Sequence, residues 1–369
     1  SPASGPTTGG AKLLVNGQDF SGAAGMLHVS FGGVDAGAVQ VLSDTQLLVT
    51  APAQTAAGVV DVTVASPYGT SATSAADRYT YVTGGPVFVL GGDGSLTQYD
   101  PVSGVTLLSP AGTILSISAV ADRSGANDAF AVTSDRHLWE HTPAGWAMLS
   151  AGSFQQLSAA TDQSGGAVVF AVPTDNSLWE YSSLYSGGWA LLSPAGSVLS
   201  ISAVTDASGH DDVYAVTADH HLWEHTPAGW AFLSGGAFQQ VSAGLNGVGQ
   251  AVAYGVLADA SLWEYNPAFN GGWAMLSPAG TVLAVAAGGA DEVFAVTADH
   301  HLWNHRLTGW SMLSAGSFAS IGATKNASGQ GELFGVLADG SLWEYNPAFA
   351  GGPWQEVVAT GVRSAAPPR

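Results

Sequence analysis

The chain has 369 residues, long enough for two domains, and carries 28 acidic against 8 basic side chains for a net charge of −20. A field of that sign repels phosphate backbones and anionic lipid headgroups, which excludes nucleic acid and acidic membrane surfaces as natural partners. With no Cys there are no disulfides or thiolate metal sites, and no apolar run is long enough to insert in a membrane as a helix.

Charged residues make up only 10% of the chain, while Gly alone numbers 49. The surface is therefore expected to be one of small polar residues and backbone, a style expected of a secreted or cell-surface bacterial protein. No signal peptide is visible at Ser1, and the chain reads as though cut from a longer precursor.

Residues 1–84 read as short strands at Lys12–Val15, Leu27–Phe31, Val39–Val41, Gln46–Thr50, Gly58–Ala65 and Arg78–Val82. Several alternate apolar and polar residues, and Pro, Gly and Asn-Gly steps punctuate them. That pattern predicts an all-β sandwich. The order of motifs is Ser1-Pro-x-Ser-Gly-Pro, Asn16-Gly-x-x-Phe20, Phe31-Gly-Gly-Val34, Val41-x-Ser-Asp-Thr-Gln46, Gly58-x-Val-Asp-Val-Thr63 and Tyr79-x-Tyr81. It resembles the IPT/TIG family of immunoglobulin-like domains. The resemblance implies a structural or adhesive spacer beside a working domain, with no catalytic residues to carry over. His28 is a lone imidazole, expected to lie at the surface or to be satisfied locally.

From residue 85 onward the chain repeats. Leu-Trp recurs at Trp139, Trp179, Trp223, Trp263, Trp303 and Trp343, spaced 40, 44, 40, 40 and 40 residues apart, and Leu96-Thr97 is a degenerate earlier copy. A period near 40 in strand-like sequence predicts a β-propeller with one blade per repeat, hence seven blades over residues 85–369. The fold class is thus all-β, an N-terminal immunoglobulin-like sandwich followed by a seven-bladed propeller. Each repeat reads as four short strands. Ala and Gly in the first two suit the crowded axis, and Trp in the outer two suits the widening gap between blades. Pro86–Leu90 lacks an inner strand before it, and Gly361–Ala366 looks like an inner strand with no blade after it. Pairing the two would close the ring and remove both edges.

Blades alternate in kind. Blades two, four and six read Asp-x-His-Leu-Trp-x-His (Asp135–His141, Asp219–His225, Asp299–His305). Blades three, five and seven read Asp-x-Ser-Leu-Trp-Glu-Tyr (Asp175–Tyr181, Asp259–Tyr265, Asp339–Tyr345) and carry a longer loop before the fourth strand. A unit of two blades has been copied.

Side chains alternate along a strand, so each Trp shares a face with the residue two positions on. The candidate sugar-binding residues are therefore the pairs Trp139 and His141, Trp179 and Tyr181, Trp223 and His225, Trp263 and Tyr265, Trp303 and His305, Trp343 and Tyr345. An indole face stacks on the C–H face of a sugar, and neighbouring polar groups bond its hydroxyls. The same rows serve equally well as interblade packing.

Eight of the ten His lie in the Leu-Trp segments of the even blades, but His221 and His225 are about 13 Å apart along a strand, too far to share one metal ion. No metal or other cofactor is expected. The loops Asp122-Arg-Ser-Gly, Asp162-Gln-Ser-Gly and Asp206-Ala-Ser-Gly are the only calcium-like feature, and they lack the oxygen spacing of an EF-hand. The Asp in each second turn (Asp93, Asp135, Asp175, Asp219, Asp259, Asp299, Asp339) is expected to cap its own turn. The carboxylates that follow Trp recur around the ring, whereas a catalytic acid is normally unique in its site, so no enzyme is expected.

The phrase Val-Phe-Ala-Val-x-x-Asp-x-x-Leu-Trp-x-His/Tyr, then Gly-Trp-x-x-Leu-Ser, then Phe-Gln-Gln-Leu/Val-Ser-Ala, clearest at Val213–Ala243, is similar to tectonin-type propellers and the bacterial fucose-binding lectins. The resemblance implies a lectin-like protein whose partners are glycans or cell-surface polysaccharide. The alternative is a structural or adhesion module that binds other surface proteins and has no sugar site.

Overall fold

The computed structural model describes residues 4–6, 12–37, 39–54, 58–82, 86–100, 104–122, 124–326, 329–348 and 353–368. The chain divides into two compact units, with the main boundary at Gly85 and Pro86. The junction expected at residues 84 and 85 lies outside the described residues.

The first unit is a two-sheet sandwich. One sheet runs Ser4–Pro6, Arg78–Val82, Gly58–Ser66, His28–Phe31 and Val34–Asp35, with Gly69–Thr70 beside Gly58–Ser66. The other runs Lys12–Asn16, Gln46–Thr50 and Val39–Ser43. The alternation read in the sequence sends Val29, Phe31, Leu47 and Val49 inward, where Phe31, Tyr79 and Tyr81 meet edge to face at 5.0–6.3 Å. The Tyr81 hydroxyl donates to the Pro52 carbonyl at 2.8 Å. His28 sits on the surface, 3.4 Å from Asp35.

The second unit is seven four-stranded antiparallel sheets. Blade two, for example, runs Ile114–Ala121, Asn127–Thr133, Leu138–Thr142 and Gly145–Ser150 from hub to rim. The innermost strands pack one against the next around the axis. Val362–Ala366 touches both Phe318–Lys325 of blade seven and Ile114–Ala121 of blade two, so the sheets form a closed wheel rather than a stack. The clasp forms as the sequence predicts. Val87–Gly91 pairs antiparallel with Val362–Ala366, joining Phe88 to Ala366 and Leu90 to Ser364.

Between blades lie dry cores built from facing strands. One joins Val168, Phe170 and Leu178 of blade three to Val198, Val213 and Ala215 of blade four. Another joins Tyr214 and Leu222 of blade four to Phe238 and Ala253 of blade five. Each buried Val, Leu or Phe side chain contributes about 1.5–3 kcal/mol.

Near the hub a staircase of serines stitches the inner strands together. The hydroxyls of Ser118, Ser158, Ser202 and Ser242 accept the amides of Ala159, Ala203, Ala243 and Ala287 in the following blades at 2.8–3.0 Å. Small residues let these strands approach closely enough for a side chain to bridge them.

Candidate functional site

Register fixes which way each candidate points. Trp303 pairs with Ala295 and Met312, and His305 pairs with Val293 and Trp310. Ala295 and Val293 belong to the core shared with blade five, so the whole row faces the preceding blade. Blades two to five repeat this arrangement through Trp139 opposite Met148, Trp179 opposite Leu191, Trp223 opposite Phe232 and Trp263 opposite Met275. In blade seven Tyr345 meets Phe294 of blade six at 6.1 Å. All twelve indoles are half-buried, neither sealed in a core nor laid open.

The two members of each row differ in role. His141, His225 and His305 meet the outer-strand indoles of Trp146, Trp230 and Trp310 at 4.9–5.0 Å. Burial lowers the pKa of all three imidazoles, so they are held neutral. Tyr181 and Tyr265 pack on Trp189 and Trp273 at 5.2 and 5.4 Å, and Tyr345 is 8% exposed. The second member of each row therefore packs inside the groove.

Trp139, Trp179, Trp223, Trp263, Trp303 and Trp343 lie nearer the end of the wheel where the Asp turns stand. Each of the seven turn carboxylates accepts the backbone amide two residues on, at 2.9–3.4 Å, as the sequence predicts. In even blades a Thr hydroxyl also donates to that carboxylate (Thr133, Thr217, Thr297), and a His ring nitrogen stands at 2.9–3.1 Å (His137, His221, His301). The Thr bond, first, holds Asp135, Asp219 and Asp299 below the ordinary carboxylate range.

In front of blade six this end opens into a cavity of about 500 Å³. Trp303 and Trp310 line it with Thr297, Ala298 and Asp299 of blade six. The linker from blade five contributes Ser277, Gly280, Thr281 and Val282. The Trp310 Nε1 donates to the Leu276 carbonyl at 2.9 Å, as Trp230 does to Leu192 and Trp146 to Leu108. These outer indoles tie one blade to the one before. The Trp303 Nε1, like those of Trp139 and Trp223, has no partner among the described residues.

Odd blades differ at two points. The indole N–H groups of Trp179, Trp263 and Trp343 donate to Ser177, Ser261 and Ser341 at 3.0–3.2 Å, and each Ser donates in turn to its turn Asp. The linker also places a phenylalanine where even blades have Ile114, Val198 or Val282. Phe154 lies 5.8 Å from Trp189 and Phe238 lies 5.7 Å from Trp273, each ring centroid to centroid. A Cβ at Gly255, whose register partner is Trp263, would fall 2.5 Å from the Phe238 ring; a Cβ at Gly335, beside Trp343, would fall 2.5 Å from the Phe318 ring.

The carboxylates after Trp point to the opposite face, toward the following blade. Burial pushes the Glu180 carboxyl up to about 7, where it shares a hydrogen bond with Asp211 of blade four and accepts the Tyr185 hydroxyl at 2.9 Å. Burial likewise raises Glu140, Glu224 and Glu264. Blade six has Asn304 here, and the structure gives the reason. Buried Glu292 already occupies the space, accepting from Asn304 Nδ2 at 2.6 Å and from Arg306 Nε and Nη2 at 2.8 and 2.7 Å. The calcium-like loops spend their carboxylates on themselves: Asp122, Asp162 and Asp206 accept amides two or four residues on at 2.8–3.0 Å.

The rim residues Met148, Leu191, Phe232, Met275 and Met312 were not among the candidates, and all are more than half exposed. Phe232 meets both Trp223 and His221 edge-on, at 5.1 and 5.6 Å. Their signal was present in Gly-Trp-Ala-Met/Phe-Leu-Ser, where both faces of the outermost strand are apolar although one must meet water.

Comparison with known proteins supports each unit separately. Residues 1–81 match the family model of the IPT/TIG domain. No curated protein matches the sequence. Among solved structures the chain is similar to the BP39L lectin from Burkholderia pseudomallei, 20% identical over 74% of this chain and 94% of that one, with a TM-score of 0.56. It is also similar to human WBSCR16, 10% identical over 82% and 98%, with a TM-score of 0.51. The SapL1 lectin, solved in complex with alpha methyl fucoside, is 17% identical over 67% and 97%, with a TM-score of 0.45. The first two establish the fold alone.

Proposed function

We propose that the propeller (residues 85–369) is a carbohydrate-binding, lectin-like module of a secreted or cell-surface bacterial protein, and that the IPT/TIG domain (residues 1–84) is its spacer. The observation that carries the reading is the cavity beside Trp303. It combines a half-buried indole whose N–H has no partner among the described residues, an ionised carboxylate at Asp299 and an apolar floor at Val282. Those are the groups a pyranose ring needs: an aromatic face for its C–H side, a donor and an acceptor for its hydroxyls. A fold shared with a protein named a lectin agrees with it. Repetition of the groove would raise weak single-site affinity by avidity on a surface polysaccharide.

The outer-strand indoles favour a different role for their own half of the Trp set. Trp146, Trp230 and Trp310 are bonded to the preceding blade and Trp189 and Trp273 lie in interblade cores, so these are packing groups. A glycan array probed with the full chain, followed by calorimetry with millimolar methyl glycosides of neutral hexoses and deoxyhexoses, tests the proposal. Binding is expected, and silence across the panel would leave the wheel as a structural or adhesion module.

A further inference from the structure

The six Trp grooves are not alike, and the difference falls between even and odd blades. Resting on the carbohydrate reading above, we propose that only the grooves in front of blades two, four and six bind saccharide, while Phe154, Phe238 and Phe318 close the other three.

The argument is steric first. At the foot of the groove, just after the interblade linker, even blades place Ile114, Val198 or Val282, and the blade-six groove stands open above Val282. Odd blades place a Phe there, 2–4% exposed, packed against the outer indole in blades three and five and over the second strand beside the inner indole in blades five and seven. In blade five the Phe238 ring thus reaches both Trp273 and the strand beside Trp263, the span that in blade six lies between Trp310 and Trp303.

Hydrogen bonding points the same way. A ligand hydroxyl in an odd groove would have to displace the Ser177, Ser261 or Ser341 oxygen that already holds the indole N–H. Among the described residues none bonds the indole N–H of Trp139, Trp223 or Trp303. The even linkers share Ser-Pro-Ala-Gly followed by Thr or Ser (residues 109–113, 193–197, 277–281) and the odd ones end in Phe, so the copied two-blade unit carries one open and one closed groove.

The ligand chemistry follows from the lining. Asp299 stands at the mouth of the blade-six cavity, and Asp135 and Asp219 hold the equivalent turn positions in blades two and four, each kept ionised by a Thr hydroxyl in a chain of net charge −20. Sialylated and uronic saccharides are repelled, and neutral pyranoses with one continuous C–H face are accepted.

Calorimetry on the full chain with the tightest neutral methyl glycoside of the panel tests this. Three sites per chain are expected. Trp139→Ala, Trp223→Ala and Trp303→Ala should each leave two sites of unchanged affinity, and that retained binding certifies the fold of each variant. Trp179→Ala and Trp263→Ala should leave three. Phe238→Val should open a fourth. Where affinity is too low for a count, the indole N–H signals that move on titration should be those erased by Trp139→Phe, Trp223→Phe and Trp303→Phe. Six equivalent sites, an equal loss from Trp263→Ala and Trp303→Ala, or a count of three in Phe238→Val would overturn the selection by Phe while leaving the lectin reading intact. Absence of any binding overturns both.

Discussion

Ending the chain at Thr360 removes the innermost strand of blade one and leaves Val87–Gly91 as a bare edge facing the hub. Register pairs Val362 with Gly91, Ser364 with Leu90, Ala365 with Val89 and Ala366 with Phe88. The ladder bonds are worth about 1 kcal/mol each net. Val362, 7% exposed, takes about 2 kcal/mol of burial with it, and Phe88 and Leu90, now 0% and 1% exposed, gain water on one side. The total is on the order of 5–10 kcal/mol, comparable with the whole stability of a typical domain. For a unit of this size that is a fall in Tm of about 10 °C or more. Differential scanning calorimetry of the full and shortened chains reads it directly. A shortened chain that melts within two or three degrees of the parent would refute the clasp as the element that closes the wheel.

Ser202→Ala removes the acceptor for the buried Ala243 amide and should cost about 1–3 kcal/mol in urea unfolding, against under about 0.5 kcal/mol for an exposed Ser. Arg306→Leu strips buried Glu292 of its cation and should cost about 3 kcal/mol, most of it recovered when Glu292→Gln is added. The raised carboxyl of Glu180 gives a pH dependence of definite sign. Its folded form holds a proton that the unfolded chain releases near the ordinary value of 4.5, so its stabilising contribution is complete below that value and is lost as pH rises through about 7. Asp211 and Asp212 share the sign, and neutral His141, His225 and His305 oppose it at the acid end. Glu180→Gln should therefore be more stable than the parent at pH 8, on the order of 1–3 kcal/mol, with the gap closing by pH 4; a constant gap across that range would refute it.

The wheel was legible because its causes are local and repeated. A fixed interval between Leu-Trp pairs, an Asp at every second turn and an orphan strand at each end leave few other ways to bury the apolar faces. The rows Trp139–His141 to Trp343–Tyr345 were legible as one face of a strand, since alternation needs no tertiary knowledge. What alternation cannot say is how deep a position lies. His305 and Trp303 share a face, yet one packs under an outer-strand indole and the other borders the cavity. Nor does the pattern show that Phe238 and Val282, both ordinary core residues by composition, stand at equivalent points and decide whether a groove is filled. That depends on which neighbouring blade each meets, a relation that exists only once the ring is built.

The rim also fixes where the chain meets oxidants. With no Cys and only four Met, its sulfur chemistry is thioether chemistry, and three of those thioethers (Met148, Met275 and Met312) stand half in water opposite groove tryptophans. Peroxide would convert them to polar, chiral sulfoxides without touching the sheets beneath. An oxidative burst would thus alter the edges of three grooves while leaving the scaffold that holds them in place.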